Sequence, residues 1–429
     1  MTVELQPPRG TGDLLPPDSD AMLGLYEAAH RMAGLYGFRY VETPTFEHTE
    51  LFARTSGESS DIVTKEMYTF QDKGGRSLTL RPEQTASIVR AYLAKAHDLP
   101  TPFNAYHVSP QFRHGRPQAG RLREFRQFGV EVIGVAAAGA DVEVIALGDR
   151  FLRGRGLSKL ELLVNSIGDP VCRPAYRERL VAHLEPHEAA LDEDCRTRLR
   201  TNPMRVFDCK VDGRKPFVLD APRVSDHLCD PCAEHFAAAR DGLDAAGVTF
   251  THDPRLVRGL DYYTRTAFEF VSGVLSPAQA TVCGGGRYDG LAEVLGGPPT
   301  PGVGFALGLD RVLTAMREEG IDVPGGRRIA CFVVAIGDDA ARVAAGLLDD
   351  LRLAGIPAAR AFEDRPLKAQ LRMADRADAT YAGILGDREV ASGVVTLRRL
   401  SDGEQEEVPL GDVVNWLART DWAAEGPTR

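Results

Sequence analysis

Between Phe112 and Glu131 the chain carries five arginines, Arg113, Arg116, Arg121, Arg123 and Arg126, interrupted by Pro117 and Gly120. Proline and glycine at that spacing break a helix, so the window is predicted to run strand, tight loop, strand. Alternate side chains of a strand share a face, which would set Arg121 and Arg123 on one side. From there they are expected to converge with Arg113 on a phosphate chain, since fixed guanidinium groups grip such oxygens in pairs. An exposed hairpin with solvated charges is the alternative. Glu131 ends a nearly uncharged run, where an isolated carboxylate needs a partner.

The rest of the chain is acidic. Its formal net charge is -10 over 429 residues and its pI is near 5.6, which argues against sequence-independent nucleic-acid binding by bulk cationic charge. A mildly positive stretch from Arg360 to Leu400, with eight Lys or Arg against six Asp or Glu, leaves room for a local basic patch. No apolar run reaches the roughly 20 residues that span a bilayer, and the N-terminus lacks the basic and apolar regions of a signal peptide. A cytoplasmic protein with no membrane partner is expected. Seven cysteines without an export signal fit reduced thiols. Cys195, Cys209, Cys229 and Cys232 fall close together, the last two as Cys-Asp-Pro-Cys. They raise a structural zinc site against simple buried thiols; no metal ligand is assigned.

Residues 18–36 have helical apolar spacing, ended by Gly37 and followed by a strand from Phe38 to Glu42. Strands are expected at Met67–Gln71, Ser77–Leu80, Ala105–Val108 and Gly129–Ile133, with a helix at Glu83–Lys95. This is an α+β arrangement of antiparallel sheet and helices. A strand at Leu160–Asn165 precedes a helix-rich segment at about 170–250, read as an insertion. Strand sequence resumes at Thr264–Val271, Ala280–Cys283 and Gly302–Leu307. Around Pro324-Gly325-Gly326 lies the linker candidate, dividing a first domain, 1–325, from a second, 328–429. The second reads β-α-β-α-β through Leu385, a mostly parallel α/β module.

Five tracts carry chemistry. Leu80-Arg81-Pro82-Glu83-Gln84-Thr85 ends a strand and begins a helix, offering a carboxylate and a hydroxyl to a substrate ammonium, or merely a helix start. The arginine-rich hairpin is the second. Arg258-Gly259-Leu260-Asp261-Tyr262-Tyr263-Thr264 suits a ligand-lining loop as well as a surface turn. Cys283-Gly284-Gly285-Gly286-Arg287-Tyr288-Asp289 follows a strand and would let a ligand lie on bare backbone, or simply turn. It is neither a phosphate loop of the Gly-Lys-Ser/Thr type nor a dinucleotide fingerprint. Gly302 to Arg311 runs from strand into helix with Arg311 in the first turn, a setting that suits a terminal phosphate.

In this order the tracts resemble the histidyl-tRNA synthetase family, class II aminoacyl-tRNA synthetases, over nearly the whole chain from Arg9-Gly10-Thr11-Gly12-Asp13 onward. The resemblance implies a six-stranded antiparallel catalytic sheet with a helical insertion, a C-terminal α/β anticodon-binding domain, and a homodimer with Gly37 to Pro44 at the interface. The implied activity is ATP-dependent activation of L-histidine and its transfer to the 3′ end of tRNA(His), with Mg²⁺. Carried over by motif position, Glu83, Thr85 and Gln127 would hold the α-amino group, Glu131 and Tyr263 the imidazole, and Tyr262 the pocket wall. Arg113 and Arg311 would hold a bent ATP with help from Arg121. Arg258 would stand between the histidine carboxylate and the α-phosphate.

Four positions depart from the family pattern. Gly115 stands where motif 2 has a Glu that accepts from the adenine amino group, and Gly115→Glu is expected to lower the KM for ATP. Leu122 replaces an aromatic residue, Arg126 a His or other ring, and Asp310 a Glu. A non-catalytic relative that senses histidine and regulates a biosynthetic enzyme is the main rival; it would lack the Arg258 to Tyr263 tract and the C-terminal module. An RNA-binding module without chemistry is the second rival.

Overall fold

The computed structural model describes residues 5–56, 63, 66–115, 122–277, 279–321, 323, 329–420 and 422. Arg116, Gln118 and Arg121 at the hairpin tip lie outside these residues, as does the Pro324-Gly325-Gly326 linker. The chain divides into two units, Met1–Pro324 and Gly325–Arg429.

In the first unit, α1 (Asp18–Leu35) buries Ala21, Met22, Leu25, Ala28, Ala29 and Ala33, the three-and-four spacing of an amphipathic helix. Gly37, at φ +75°, then turns the chain. There follow β1 (Arg39–Tyr40), β2 (Phe46–His48), α2 (Thr49–Ser56), β3 (Tyr68–Gln71), β4 (Ser77–Leu80) and α3 (Thr85–Leu93). Next come β5 (Phe103–Phe112), β6 (Glu124–Ile133), α4 (Ala138–Gly154) and β7 (Leu160–Ser166). The inserted segment holds α5 (Arg173–Leu184), α6 (Glu193–Thr201), α7 (Pro216–Leu219) and α8 (Asp230–Ala245). The unit closes with β8 (Thr251–His252), β9 (Thr264–Ser272), β10 (Thr281–Arg287), α9 (Leu291–Val294), β11 (Gly302–Gly308) and α10 (Leu309–Glu318).

The main sheet has the order β1-β5-β6-β11-β10-β9-β7-β8. Its six central strands are antiparallel, and a two-residue strand runs parallel along each edge. The resemblance implied six antiparallel strands; of the two edges, the strand expected from Phe38 to Glu42 is the short β1, and β8 was not foreseen. β5 and β6 pair over ten residues, from Phe103 opposite Ile133 to Phe112 opposite Glu124. That is longer than local pattern suggests, because the polar run Ser109 to Phe112 becomes a strand only by pairing.

The two faces of this sheet differ. Phe128, Val130 and Val132 of β6 and Val303, Phe305 and Leu307 of β11 point into a core shared with α1, α4 and α10. Their alternates point to the other face: Gln127, Glu131 and Ile133 on β6, and Gly302, Gly304, Ala306 and Gly308 on β11. On that face pack α3, the insertion and the tyrosines Tyr262, Tyr263 and Tyr288.

The second unit holds β12 (Ile329–Ala335), α11 (Asp338–Leu353), β13 (Ala358–Arg360), α12 (Leu367–Arg376) and β14 (Ala379–Leu385). It continues through α13 (Asp387–Ser392), β15 (Val394–Arg399), β16 (Gln405–Pro409) and α14 (Val413–Arg419). Its sheet order is β13-β12-β14-β15-β16. The first three strands are parallel, as the β-α-β-α-β pattern requires, and an antiparallel pair is added at one edge. Among the described residues no helix is long and apolar enough to cross a membrane.

Candidate active site

A cleft open to solvent lies on the face of the main sheet that carries Gln127, Ala306 and Gly308, opposite the core of α1, α4 and α10. Its lining includes Arg113, Arg258 and Arg311, residues separated by up to two hundred positions in the chain. Arg113 lies just past the end of β5. Its Nε donates to the Pro82 carbonyl at 2.9 Å, and its guanidinium lies 5.4 Å from the Phe125 ring centre. Arg311, in the first turn of α10, donates from Nη1 to the Thr281 carbonyl at 2.7 Å. Arg258 pairs with Glu269 and stands 5.4 Å above the Tyr263 ring, while its buried Nε has no hydrogen-bond partner. Burial opposes the charge on Arg258, but Glu269 together with Tyr263 and Tyr262 outweighs it and the pKa is raised. Thr281 joins the two sides: its carbonyl takes Arg311, and its hydroxyl donates to Glu269 at 2.9 Å.

The glycines of β10 make room for these groups. A Cβ on Gly284 would stand 2.6 Å from Arg258 Nη1. One on Gly304 of β11 would overlap the Glu131 carboxylate, its cross-strand neighbour. The expected strand ended at Cys283, leaving the three glycines after it to lie under a ligand or simply to turn; instead β10 runs on to Arg287 between β9 and β11. Of the three, Gly284 lines the cleft, while Gly285 and Gly286 lie tight against backbone oxygens and rings of the neighbouring segments.

The same cleft is lined by Glu83, Thr85, Gln127, Tyr262 and Tyr263. Glu83 accepts the Thr85 N–H at 2.7 Å and the Ala86 N–H at 3.0 Å. The carboxylate therefore caps α3 while keeping lone pairs for a ligand. Burial raises its pKa. Gln127 is buried with its Oε1 unpartnered, an acceptor that costs stability unless a donor arrives. Glu131 is 1% exposed and lies behind this wall, not on it. It accepts from the Thr85 hydroxyl at 2.6 Å and from the Tyr288 hydroxyl at 2.5 Å. Burial pushes its pKa up to about 8 against those two hydrogen bonds. Tyr262 and Tyr263 have ring centres 4.6 Å apart, and Tyr262 meets Tyr288 edge-on at 6.0 Å.

The insertion touches this wall. Arg173, at the start of α5, donates to the Tyr263 carbonyl at 2.6 Å and to the Gly168 carbonyl at 3.1 Å.

Several expectations fall elsewhere. Arg123 does not join Arg113 at the cleft: its backbone N–H bonds the Gly10 carbonyl at 2.6 Å, and its Nη1 bonds the Arg9 carbonyl at 3.1 Å. The N-terminal segment crosses over it, which alternation within one hairpin cannot foresee. Arg121 lies outside the described residues. Arg126 and Asp310, two of the four departures, contact each other: Asp310 accepts the Arg126 N–H at 2.6 Å and its Nη1 at 3.2 Å. Gly115 and Leu122, the other two, line the cleft, as do Glu66 and Phe125. Cys195, Cys209, Cys229 and Cys232 do not gather in one cluster, and a fifth cysteine of the insertion, Cys172, joins one of the two groups they form. Cys229 and Cys232 group with Asp169 and Cys172, and Cys195 and Cys209 with Asp192 and Asp212. Tyr288, Glu269 and Glu66 were not singled out from the sequence. A lone acid amid the apolar strand residues Phe268 and Phe270 was the available signal for Glu269.

Comparison with known proteins follows the same lines. A family model described as histidyl-tRNA synthetase matches residues 10–312, and one described as an anticodon binding domain matches residues 330–420. The histidine–tRNA ligase of Moorella thermoacetica is 49% identical over 96% of this chain and 97% of its own length. That of Desulforamulus reducens is 47% identical over 96% of this chain and 99% of its own. The apo crystal structure of Staphylococcus aureus histidyl-tRNA synthetase, 38% identical, superposes with a TM-score of 0.81, covering 96% of this chain and all of that one.

Proposed function

This chain belongs to the histidyl-tRNA synthetase family, and from that premise we propose how its residues divide the work. It is a histidine–tRNA ligase: L-histidine is activated with ATP to histidyl-adenylate, and the histidyl group passes to the 3′ end of tRNA(His). The observation that supports the assignment of roles is the meeting of Arg113, Arg258 and Arg311 on one cleft that is also lined by Glu83 and by Gln127, whose side-chain oxygen is unpartnered.

The α-ammonium of histidine sits against Glu83 and Gln127, with Thr85 beside them. Tyr262 and Tyr263 border the imidazole. Glu131 reaches the ring by exchanging its hydrogen bond from Thr85 for one from the imidazole N–H. A site built to bond a ring N–H rejects analogues lacking it by about 10⁴ or more. Arg113 and Arg311 bind the triphosphate, with Arg121 contributing. Arg258 sets the histidine carboxylate against the α-phosphate. The carboxylate is already ionised near neutral pH, so no general base is required. Its oxygen bonds to the α-phosphorus as the bond to the bridging oxygen breaks, and pyrophosphate leaves in line. ATP enters as its Mg²⁺ complex, which offsets phosphate charge. The arginines stabilise charge that grows in the transition state, the largest contribution such fixed groups make.

The second unit reads the anticodon of tRNA(His). Lys368, Arg372 and Arg376 are exposed along α12, and Phe362, 90% exposed, precedes it. Exposed aromatic and cationic groups are the means by which unpaired bases are read. A homodimer forms through the Gly37 to Pro44 edge, where Leu35, Tyr40 and Phe46 are exposed beside the short β1. The cytoplasm, where the tRNA is charged, is the proposed location.

Histidine-dependent exchange of labelled pyrophosphate into ATP tests the first step. Exchange that survives intact when Arg113 or Arg258 is neutralised would overturn the assignment.

A further inference from the structure

We propose that Asp169, Cys172, Cys229 and Cys232 form a structural site for a thiophilic divalent metal of the zinc class, clamping the two ends of the insertion together. Their candidate ligand atoms all lie within 4.8 Å of one another. They come as two pairs with two residues between the members of each, Asp169 with Cys172 and Cys229 with Cys232, the spacing by which short turns present two ligands to one tetrahedral ion. The first pair lies on the loop from β7 into α5. The second straddles the first turn of α8, and these two helices open and close the insertion.

The separations suit such an ion. Zinc–sulfur bonds of about 2.3 Å at tetrahedral angles put neighbouring ligand atoms about 3.8 Å apart. Cys172 Sγ and Cys232 Sγ are 3.9 Å apart, and Asp169 Oδ1 is 3.6 Å from Cys172 Sγ and 3.8 Å from Cys229 Sγ. All three cysteines are free thiols. Surrounding groups also favour anionic ligands. Asp169 Oδ1 accepts the N–H groups of Val171 at 3.0 Å and Cys172 at 3.3 Å, and the Asp169 N–H lies 3.4 Å from Cys172 Sγ. Arg265 stands 3.7 Å from the other carboxylate oxygen. Outer groups of this kind orient ligands and offset the charge left when three thiolates and a carboxylate meet one dication.

The neighbouring group of Asp192, Cys195, Cys209 and Asp212 has the same pair spacing but different chemistry. A cation is already there: Lys215 Nζ lies 2.6 Å from Asp212 Oδ1. Asp192 caps α6 through the Cys195 N–H at 2.7 Å, and the Asp192 N–H bonds Asp212 at 2.8 Å. With two thiols instead of three and its carboxylates so engaged, this cluster holds without a metal.

The test uses the full chain, purified without a polyhistidine tag from cells supplied with zinc, and metal analysis by mass spectrometry. About one zinc per chain is expected. Cys172→Ser and Cys232→Ser should lose it, while Cys195→Ser and Cys209→Ser retain it. Because a serine variant can fail to fold, cobalt(II) is also titrated into chelator-treated wild-type protein whose circular dichroism is unchanged. A near-ultraviolet thiolate-to-cobalt band is expected, with three cysteines shielded from a thiol-modifying reagent when metal is bound. Zinc close to zero with no cobalt band, or zinc lost equally from the Cys195 and Cys209 variants, would overturn the proposal.

Discussion

Glu131→Gln isolates a carboxyl whose pKa burial lifts to about 8, so that the folded chain keeps it protonated near neutral pH. The ordinary value is 4.5, so ionising it inside the folded chain costs about 5 kcal/mol at about 1.4 kcal/mol per pH unit. Below 4.5 the group is protonated in both the folded and the unfolded chain. Between 4.5 and 8 the unfolded chain releases the proton that the folded chain retains, so folding stability falls as pH rises. Glutamine does not titrate, and it can accept from Tyr288 while donating to Thr85. The stability of the variant relative to the wild type should therefore climb by about 3 to 4 kcal/mol from about pH 5 to about pH 8. Urea denaturation across that range measures it. Both tryptophans, Trp416 and Trp422, belong to the second unit, so circular dichroism must follow the first. A difference that stays flat with pH would refute the reasoning, because it would mean that Glu131 is ionised in the folded chain. In the same variant the KM for histidine should rise about tenfold, the effect of one lost hydrogen bond of about 1.4 kcal/mol.

Arg258→Lys should lower the rate of histidine-dependent pyrophosphate exchange by about 10² to 10³, because a point charge cannot keep both the Glu269 pairing and the phosphate; a rate within threefold (about 0.7 kcal/mol) of wild type contradicts this. Gly284→Ala pushes against the Arg258 guanidinium and should reduce exchange more than it reduces thermal stability, as a melting curve alongside the rate would reveal. Glu66, which lines the cleft as Gly115 does, is expected to supply the carboxylate that position 115 lacks: Glu66→Gln should raise the KM for ATP by about 5- to 30-fold, the worth of 1 to 2 kcal/mol, and adding Gly115→Glu should restore it. An unchanged KM in Glu66→Gln removes that role. His107, buried beneath Gly129 with its pKa lowered to about 3 by burial and then by Arg81, works opposite to Glu131. The unfolded ring gains a proton below about 6.5 that the folded ring refuses, so stability falls toward acid by about 1.4 kcal/mol per pH unit, and His107→Gln should flatten that slope. Phe362→Ala should weaken charging of tRNA(His) while leaving pyrophosphate exchange unaltered.

Local sequence revealed much of this architecture because many of its elements announce themselves. α1 has its apolar stripe and terminal glycine, and the arginine-bearing tracts are contiguous words. What stayed hidden depends on register between strands that are remote in sequence. That Gly304 faces Glu131, or that Gly284 lies under Arg258, follows only once β11 is set beside β6 and Arg258 is folded over β10. Tyr288 lay inside a tract already marked as informative, yet its hydroxyl could be assigned to Glu131 only after both residues were placed on the same face. Arg123 was misjudged for a related reason: alternation tells which side of a hairpin a residue faces, not which distant segment comes to cover it. The cysteines of the insertion were miscounted and grouped wrongly: Cys172 was passed over, and the partners Asp169, Asp192 and Asp212 are carboxylates that a search for thiols does not find.

The bond from Arg173 to the Tyr263 carbonyl bears on how far this protein could be trimmed. Excising the excursion between β7 and β8 would take away a strut that braces the backbone beneath an aromatic side chain of the histidine cleft, and the tyrosine would be left to wander. A shortened catalyst would need a substitute buttress at that carbonyl, not merely a loop of the right length to bridge the gap.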